Sequence, residues 1–140
     1  MEPTFEDREY LIIDELSYYL RLPLRDEVVV FRYPKDPRQF FIKRIIGLPG
    51  ERVEIHNGRI TIFNTEFPKG FLLDEMYLSP PNRPTNPESV AIVPEGMYFV
   101  LGDNRDFSSD SRVWGMLERN LIVGKVFLRA WPFNRASILK

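Results

Sequence analysis

The sequence has no cysteine, a single histidine, no long apolar run and no basic cluster, and each shortage closes off a class of function. Without cysteine there is no disulfide, no thiolate metal site and no cysteine nucleophile, and the redox compartment is left open. The lone histidine, His56, stands beside an Asn-Gly pair with no recognisable partner; it reads as a solvated turn residue, and a Ser–His–Asp triad is poorly supported. The 19 lysines and arginines nearly balance 20 aspartates and glutamates, and a net charge of −1 without a basic run argues against nucleic acid as a partner. The apolar runs, such as 11–13 and 40–42, fall far below the roughly 18 residues of a spanning helix. No signal peptide is visible, because Glu2 and Pro3 follow Met1 at once and Glu6, Asp7 and Arg8 come soon after. As written, the chain reads as soluble.

What is present is one domain's worth of chain, 140 residues, rich in aromatics and carrying 12 prolines. Its apolar residues mostly alternate over short stretches, the period of half-buried strands. Strands are predicted at 10–14, 28–33, 39–46, 52–55, 59–63, 89–93, 97–101 and 121–129. Pro34, Lys35, Asp36 and Pro37 predict a break. Asn57-Gly58 predicts a hairpin turn, because both residues tolerate positive φ. From Asn64 to about Pro87 the alternation dissolves, and Pro80, Pro81, Pro84 and Pro87 deny donors to a sheet. Only 14–20 and 116–120 are expected to hold a helical turn. The expected fold is mainly β, a single domain of antiparallel sheets over residues 1–140, with a hairpin and Pro-rich insertion at about 52–94.

Lys43 is the residue most in need of explanation. On a strand it shares a face with Phe41 and Ile45, while Ile42, Arg44 and Ile46 share the other. Desolvation between apolar side chains lowers a lysine pKa; bringing it from about 10.4 to about 7 takes about 4 kcal/mol of differential interaction. A neutral lysine could act as general base toward a hydroxyl nucleophile. The plainer alternative is that its stem lies on the core and its head in water. The stretch from Gly102 to Arg112 reads either as a tight polar loop or as a buried polar scaffold. In the scaffold, Asp103 and Asp110 would pair with arginines, and a serine hydroxyl would point at a catalytic group. A calcium loop fails on register, since Arg105 and Phe107 occupy ligand positions counted from Asp103.

Three segments, Met1-Glu2-Pro3-Thr4-Phe5, the run from Lys43-Arg44 to Gly47-Leu48-Pro49-Gly50, and Gly102-Asp103-Asn104-Arg105-Asp106-Phe107-Ser108-Ser109-Asp110-Ser111-Arg112, resemble the boxes of bacterial-type signal peptidase I. The resemblance covers almost the whole chain. It implies antiparallel sheets of the kind shared by signal peptidases and LexA-like peptidases, and a serine endopeptidase that removes signal peptides after Ala-x-Ala with a Ser–Lys dyad. Lys43 resembles the general base and Ser108 the hydroxyl that orients it. Arg44 with Asp103, and Asp110 with Arg112, resemble the charge pairs that hold the loop, and Asn104 and Arg105 fall in the same supporting box. Met1, Phe5, Phe41 and Ile42 fall where the family builds shallow apolar subsites. Lysine rather than histidine at 43 resembles the bacterial and organelle branch. The resemblance calls for no cofactor and no metal, and for signal peptides and a membrane surface as partners. It also implies an anchor in the cytoplasmic membrane and a catalytic domain on the extracytoplasmic side.

In that family a serine directly precedes the methionine that is Met1 here. The resemblance therefore places the nucleophile, its oxyanion-hole N–H, an upstream oxyanion-hole side chain and the anchor outside these residues. Two readings stay open: a signal peptidase domain beginning just after its nucleophile, inactive as written, or an inactive relative that binds exported segments along a strand edge. A self-cleaving repressor is a third, opposed by the Gly-Leu-Pro-Gly and Gly-Asp-Asn-Arg-Asp stretches. Phe107 stands where many bacterial members carry Asn, with little effect on mechanism expected. Trp131, Phe133, Ile138 and Leu139 either cap the core or, with Trp131 and Phe133 foremost, rest at a membrane interface.

Overall fold

The computed structural model describes residues 1–2, 4–5, 9–131 and 137–138. Strands β1 (Tyr10–Asp14), β2 (Val28–Tyr33), β3 (Asp36–Gly47), β8 (Met97–Leu101), β9 (Leu117–Glu118), β10 (Ile122–Trp131) and β11 (Ser137–Ile138) build one sheet. Its order is β1-β10-β2-β3-β8-β9, with β11 laid against β10. A second sheet, in the order β6-β5-β4-β7, comes from β4 (Arg52–His56), β5 (Arg59–Phe63), β6 (Phe71–Leu72) and β7 (Ser89–Ile92). Every strand pair is antiparallel, as the short alternating runs predict.

The alternation decides which side chains go inside. Val53 and Ile55 of β4 and Ile60 and Ile62 of β5 are buried, and they pack with Ile46, Phe99 and Leu101 of the first sheet. Gly47 lets the sheets meet: a Cβ there would lie 2.6 Å from Val53 Cγ2 and 3.0 Å from Phe99 Cβ. Between β4 and β5, Asn57 (φ 49°) and Gly58 (φ 72°) form the two-residue turn whose twist matches the flanking strands. The strand β2 lies inside the sheet and is covered on both faces. Val29 and Phe31 pack with Ile45, Tyr98 and Val100, and Val28 and Val30 with Phe5 and Val126.

Four expectations are corrected. The break at 34–37 shrinks to Pro34-Lys35, because β3 starts at Asp36 and pairs that residue with Tyr33. Pro37 is tolerated there because it faces the register shift between Arg32 and Tyr33, where the ladder is already interrupted. Residues 116–120 form no α-helical turn; Leu117 and Glu118 pair with Tyr98 and Met97, and a 3-10 turn follows. The turn of helix lies instead at α2 (Ser111–Trp114), where Asp110 caps the Arg112 N–H and the Ser111 hydroxyl accepts the Val100 N–H. The other expected turn shortens to α1 (Ser17–Leu20). Ile138 is 64% exposed and does not cap the core. Trp131 ends β10 opposite Tyr10, and Phe133 and Leu139 lie outside the described residues.

Candidate active site

The site forms where β3 changes neighbours. β3 pairs with β2 along most of its length, but β8 reaches it only from Arg44 to Gly47. Over residues 40–43 the edge facing β8 has no strand partner among the described residues, and a cleft of about 520 Å³ opens there. Seven residues singled out from the sequence line it together: Met1, Phe5, Phe41, Ile42, Lys43, Asn104 and Ser108. Glu2, Phe40, Phe107 and Ser109 line it as well. Phe107 is 87% exposed, an apolar ring at the rim.

Lys43 shares its strand face with Phe41, whose ring centroid lies 5.6 Å from Nζ. The lysine is half-buried, and no carboxylate of the described residues comes within ion-pairing distance of it. Burial pushes its amine below the ordinary lysine pKa. Asp110 and Asp103 pull it back up, and Arg112 adds to the lowering. The balance follows from pairing, because each of those acids already holds an arginine. Arg44 donates to Asp103 from Nε (2.9 Å) and Nη2 (2.7 Å), and Arg112 donates to Asp110 from Nε (2.8 Å) and Nη2 (2.7 Å). Lysine thus faces two nearly neutral pairs rather than two bare carboxylates. Burial alone would push the Asp110 carboxyl up; hydrogen bonds from Arg112 and the Gly102 N–H outweigh it and hold it below the usual range.

The 102–112 loop wraps these pairs around Gly102. A Cβ at Gly102 would lie 2.0 Å from Ser108 Oγ and 3.6 Å from Lys43 Cδ, so the glycine provides the space in which serine and lysine approach. Ser108 Oγ is buried, near enough to Asp110 to favour its ionised form, yet without a partner at hydrogen-bonding geometry. No hydrogen bond joins it to Lys43 in this structure. Thr4 donates to Asp103 and the Asp103 N–H contacts Met1 Sδ at 3.5 Å, so the first residues of the chain are tied to the loop.

The family description "Signal peptidase, peptidase S26" matches residues 1–131. The chain belongs to this family. It is 41% identical over 144 residues to a probable signal peptidase I-2 of Synechocystis sp., covering 99% of this chain and 62% of that protein. It is 40% identical to the signal peptidase I of Leptolyngbya laminosa, covering 99% and 68%. A crystal structure of a signal peptidase I from Enterococcus faecalis V583 superposes with a TM-score of 0.64 at 34% identity, over 76% of this chain and 97% of that one. The chain thus spans about three fifths to two thirds of the length of these curated family members.

Sequence reasoning missed the partners that the family fold brings from far along the chain. Arg105 finds Glu75, with both side chains essentially inaccessible and the ion pair at 2.5 Å. Tyr77 lays its ring 4.0 Å from the Arg44 guanidinium. Neither sits in a recognisable strand, so no periodicity marked them; a buried arginine seeking a carboxylate was the only available signal. His56 is corrected in one respect: it is exposed, as expected, but its Nδ1 lies 3.4 Å from Glu88, contributed by the approach to β7.

Proposed function

We propose that this domain hydrolyses the peptide bond following an Ala-x-Ala motif in the signal sequences of exported proteins, with Lys43 as general base to a serine hydroxyl. The observation that carries the reading is Lys43 itself: half-buried, free of ion pairs among the described residues, and lowered in pKa by burial at the open edge of β3. An amine in that state can accept a proton, which a solvated lysine at neutral pH cannot. The serine is the one the family carries before the methionine at position 1. Met1 lines the same cleft as Lys43, which supports the pairing.

In this mechanism Lys43 Nζ takes the serine proton as the oxygen adds to the substrate carbonyl. The resulting lysine ammonium returns that proton to the leaving amine, and an acyl-serine ester remains. Water, deprotonated by Lys43, then attacks the ester; the acid is released, and the serine recovers its proton from the lysine. An extended substrate would lie along residues 40–43 and pair with the unoccupied backbone of β3, while Phe5, Ile42 and Met1 offer apolar walls to small side chains. A membrane-anchored protein with this domain on the extracytoplasmic face of the cytoplasmic membrane suits such a substrate. Exposed Leu16, Tyr19, Leu20 and Leu22 beside α1 support contact with a lipid surface. No helix among the described residues is long and apolar enough to cross a membrane.

The test is cleavage of an Ala-x-Ala peptide by the full-length protein. A single cut after the second alanine, lost in Lys43→Met, is expected. Peptide binding without any turnover by the parent protein would overturn the hydrolytic reading and leave a peptide-binding domain.

A further inference from the structure

Gly102, over which Ser108 and Lys43 approach, is gripped from both sides. Its N–H donates to Asp110 Oδ2 at 3.0 Å, and its carbonyl accepts from Arg105 Nε at 3.1 Å. Asp110 belongs to the same loop, but the placement of Arg105 does not come from the loop. The rest of the guanidinium is held by the irregular segment between β6 and β7: Nη1 donates to Thr85 Oγ1 at 2.5 Å, and Nη2 reaches Glu75 Oε1 at 2.5 Å and Tyr77 Oη at 3.3 Å. Tyr77 in turn donates to Glu75 Oε1 at 3.0 Å, and its ring covers the guanidinium of Arg44, the neighbour of Lys43.

We propose that Glu75 and Tyr77 are positioning residues for the Lys43–Ser108 site, acting through Arg105 on Gly102 and through Arg44 on β3. The inference rests on the peptidase reading above and extends it to a segment that contributes no residue to the cleft. Guanidinium geometry supports it. A planar fork satisfied on each nitrogen has one orientation, and a bidentate, stacked arginine transmits position as well as charge. The Glu75–Arg105 pair is inaccessible to water, so removing one partner leaves an uncompensated charge that the loop must shift to relieve. Gly102 is the part of the loop that arginine holds, and a movement of about 1 Å there separates Ser108 from Lys43.

The experiment compares Glu75→Gln, Tyr77→Leu and Tyr77→Phe in the full-length protein. Peptide cleavage is measured across pH, melting by circular dichroism, and the Lys43 titration by NMR of a lysine-labelled chain. Glu75→Gln and Tyr77→Leu are expected to lower kcat by about 10²-fold with KM within a few fold, and to raise the Lys43 pKa as water enters. Tyr77→Phe, which keeps the ring on Arg44, should recover most of the Tyr77→Leu loss. The sign of the Glu75→Gln shift is diagnostic. Loss of a negative charge acting only through space would lower the lysine pKa, whereas loosening raises it.

Parental kcat and Lys43 titration in folded Glu75→Gln and Tyr77→Leu, whatever their melting temperatures, would overturn the proposal. If Glu75→Gln does not fold, Thr85→Val removes another Arg105 partner and carries the same readouts. The NMR titration needs no turnover, so it separates failure of this inference from failure of the peptidase reading.

Discussion

The two halves of β3 belong to one continuous strand and end in opposite states. From Arg44 to Gly47 the strand is buried and paired with β8, with the β2 ladder reaching as far as Arg44, and Arg44 is fully satisfied by Asp103, the Asp26 carbonyl and the Tyr77 ring. From Phe40 to Lys43 one edge is open, the side chains are partly or fully exposed, and the cation at the boundary has no carboxylate in ion-pairing range among the described residues. Adjacent residues of like charge thus serve different ends. Arg44 is a structural ion, whereas Lys43, just beyond the point where β8 pairing stops, is the one proposed to act as base. Buried charge that is fully paired holds a fold together, and buried charge left unpaired is available for proton transfer.

Five substitutions test that contrast. The largest effect is expected from Lys43→Met, which should reduce peptide cleavage below detection while raising the melting temperature. The sign follows from linkage. The folded pKa of Lys43 lies below its ordinary value, so between the two the unfolded chain binds more protons and stability rises with pH. The stability gain of Lys43→Met should therefore be greatest at acid to neutral pH and vanish near about pH 10.4. A lower melting temperature for the variant would show the lysine to be structural after all.

Arg44→Met should do the reverse. Leaving Asp103 buried without its partner should remove about 3–5 kcal/mol of stability in urea titration, and Arg44→Met/Asp103→Leu should regain part of it. Equal stability of Arg44→Met and the parent would erase the distinction between the two cations. Gly102→Ala places a methyl 2.0 Å from Ser108 Oγ, so activity should fall by about 10²-fold with a smaller change in melting.

Arg112→Met removes a cation that lowers the Lys43 pKa and exposes the lysine to a bare Asp110. The acidic limb of kcat/KM should move to higher pH, because the base must be neutral to act; an unmoved limb would exclude Lys43 as the titrating group. The smallest effect is expected at the open rim. Phe107→Asn should weaken peptide binding by about 0.5–1 kcal/mol, a roughly two- to fivefold rise in KM with kcat unchanged.

Much of this protein is legible in its residues one stretch at a time. Alternation marked the principal strands because a strand's side chains obey a period of two whatever surrounds it. Asn57-Gly58 announced its hairpin because few other pairs accept positive φ twice. The three boxes pointed to Lys43, Ser108 and their arginines; the structure brings Lys43 and Ser108 to one cleft and pairs Arg44 with Asp103 and Arg112 with Asp110. The helical turn at 111–114 was not legible, because it depends on an Asp110 cap and a Ser111 hydroxyl bound to a distant strand rather than on apolar spacing.

Neighbouring residues alone fix most strands, the 57–58 turn and the chemical types available: one lysine on an apolar strand face, acidic and basic residues in nearly equal number, no thiol. Which acid meets which arginine, where β8 stops one residue short of Lys43, and how Glu75 and Tyr77 cross from an irregular segment to hold Arg105 and Arg44 all depend on the folded chain. The physical reason is range. Periodicity and turn preference act between neighbours, whereas desolvation and ion pairing depend on whatever the folded chain places within a few ångströms.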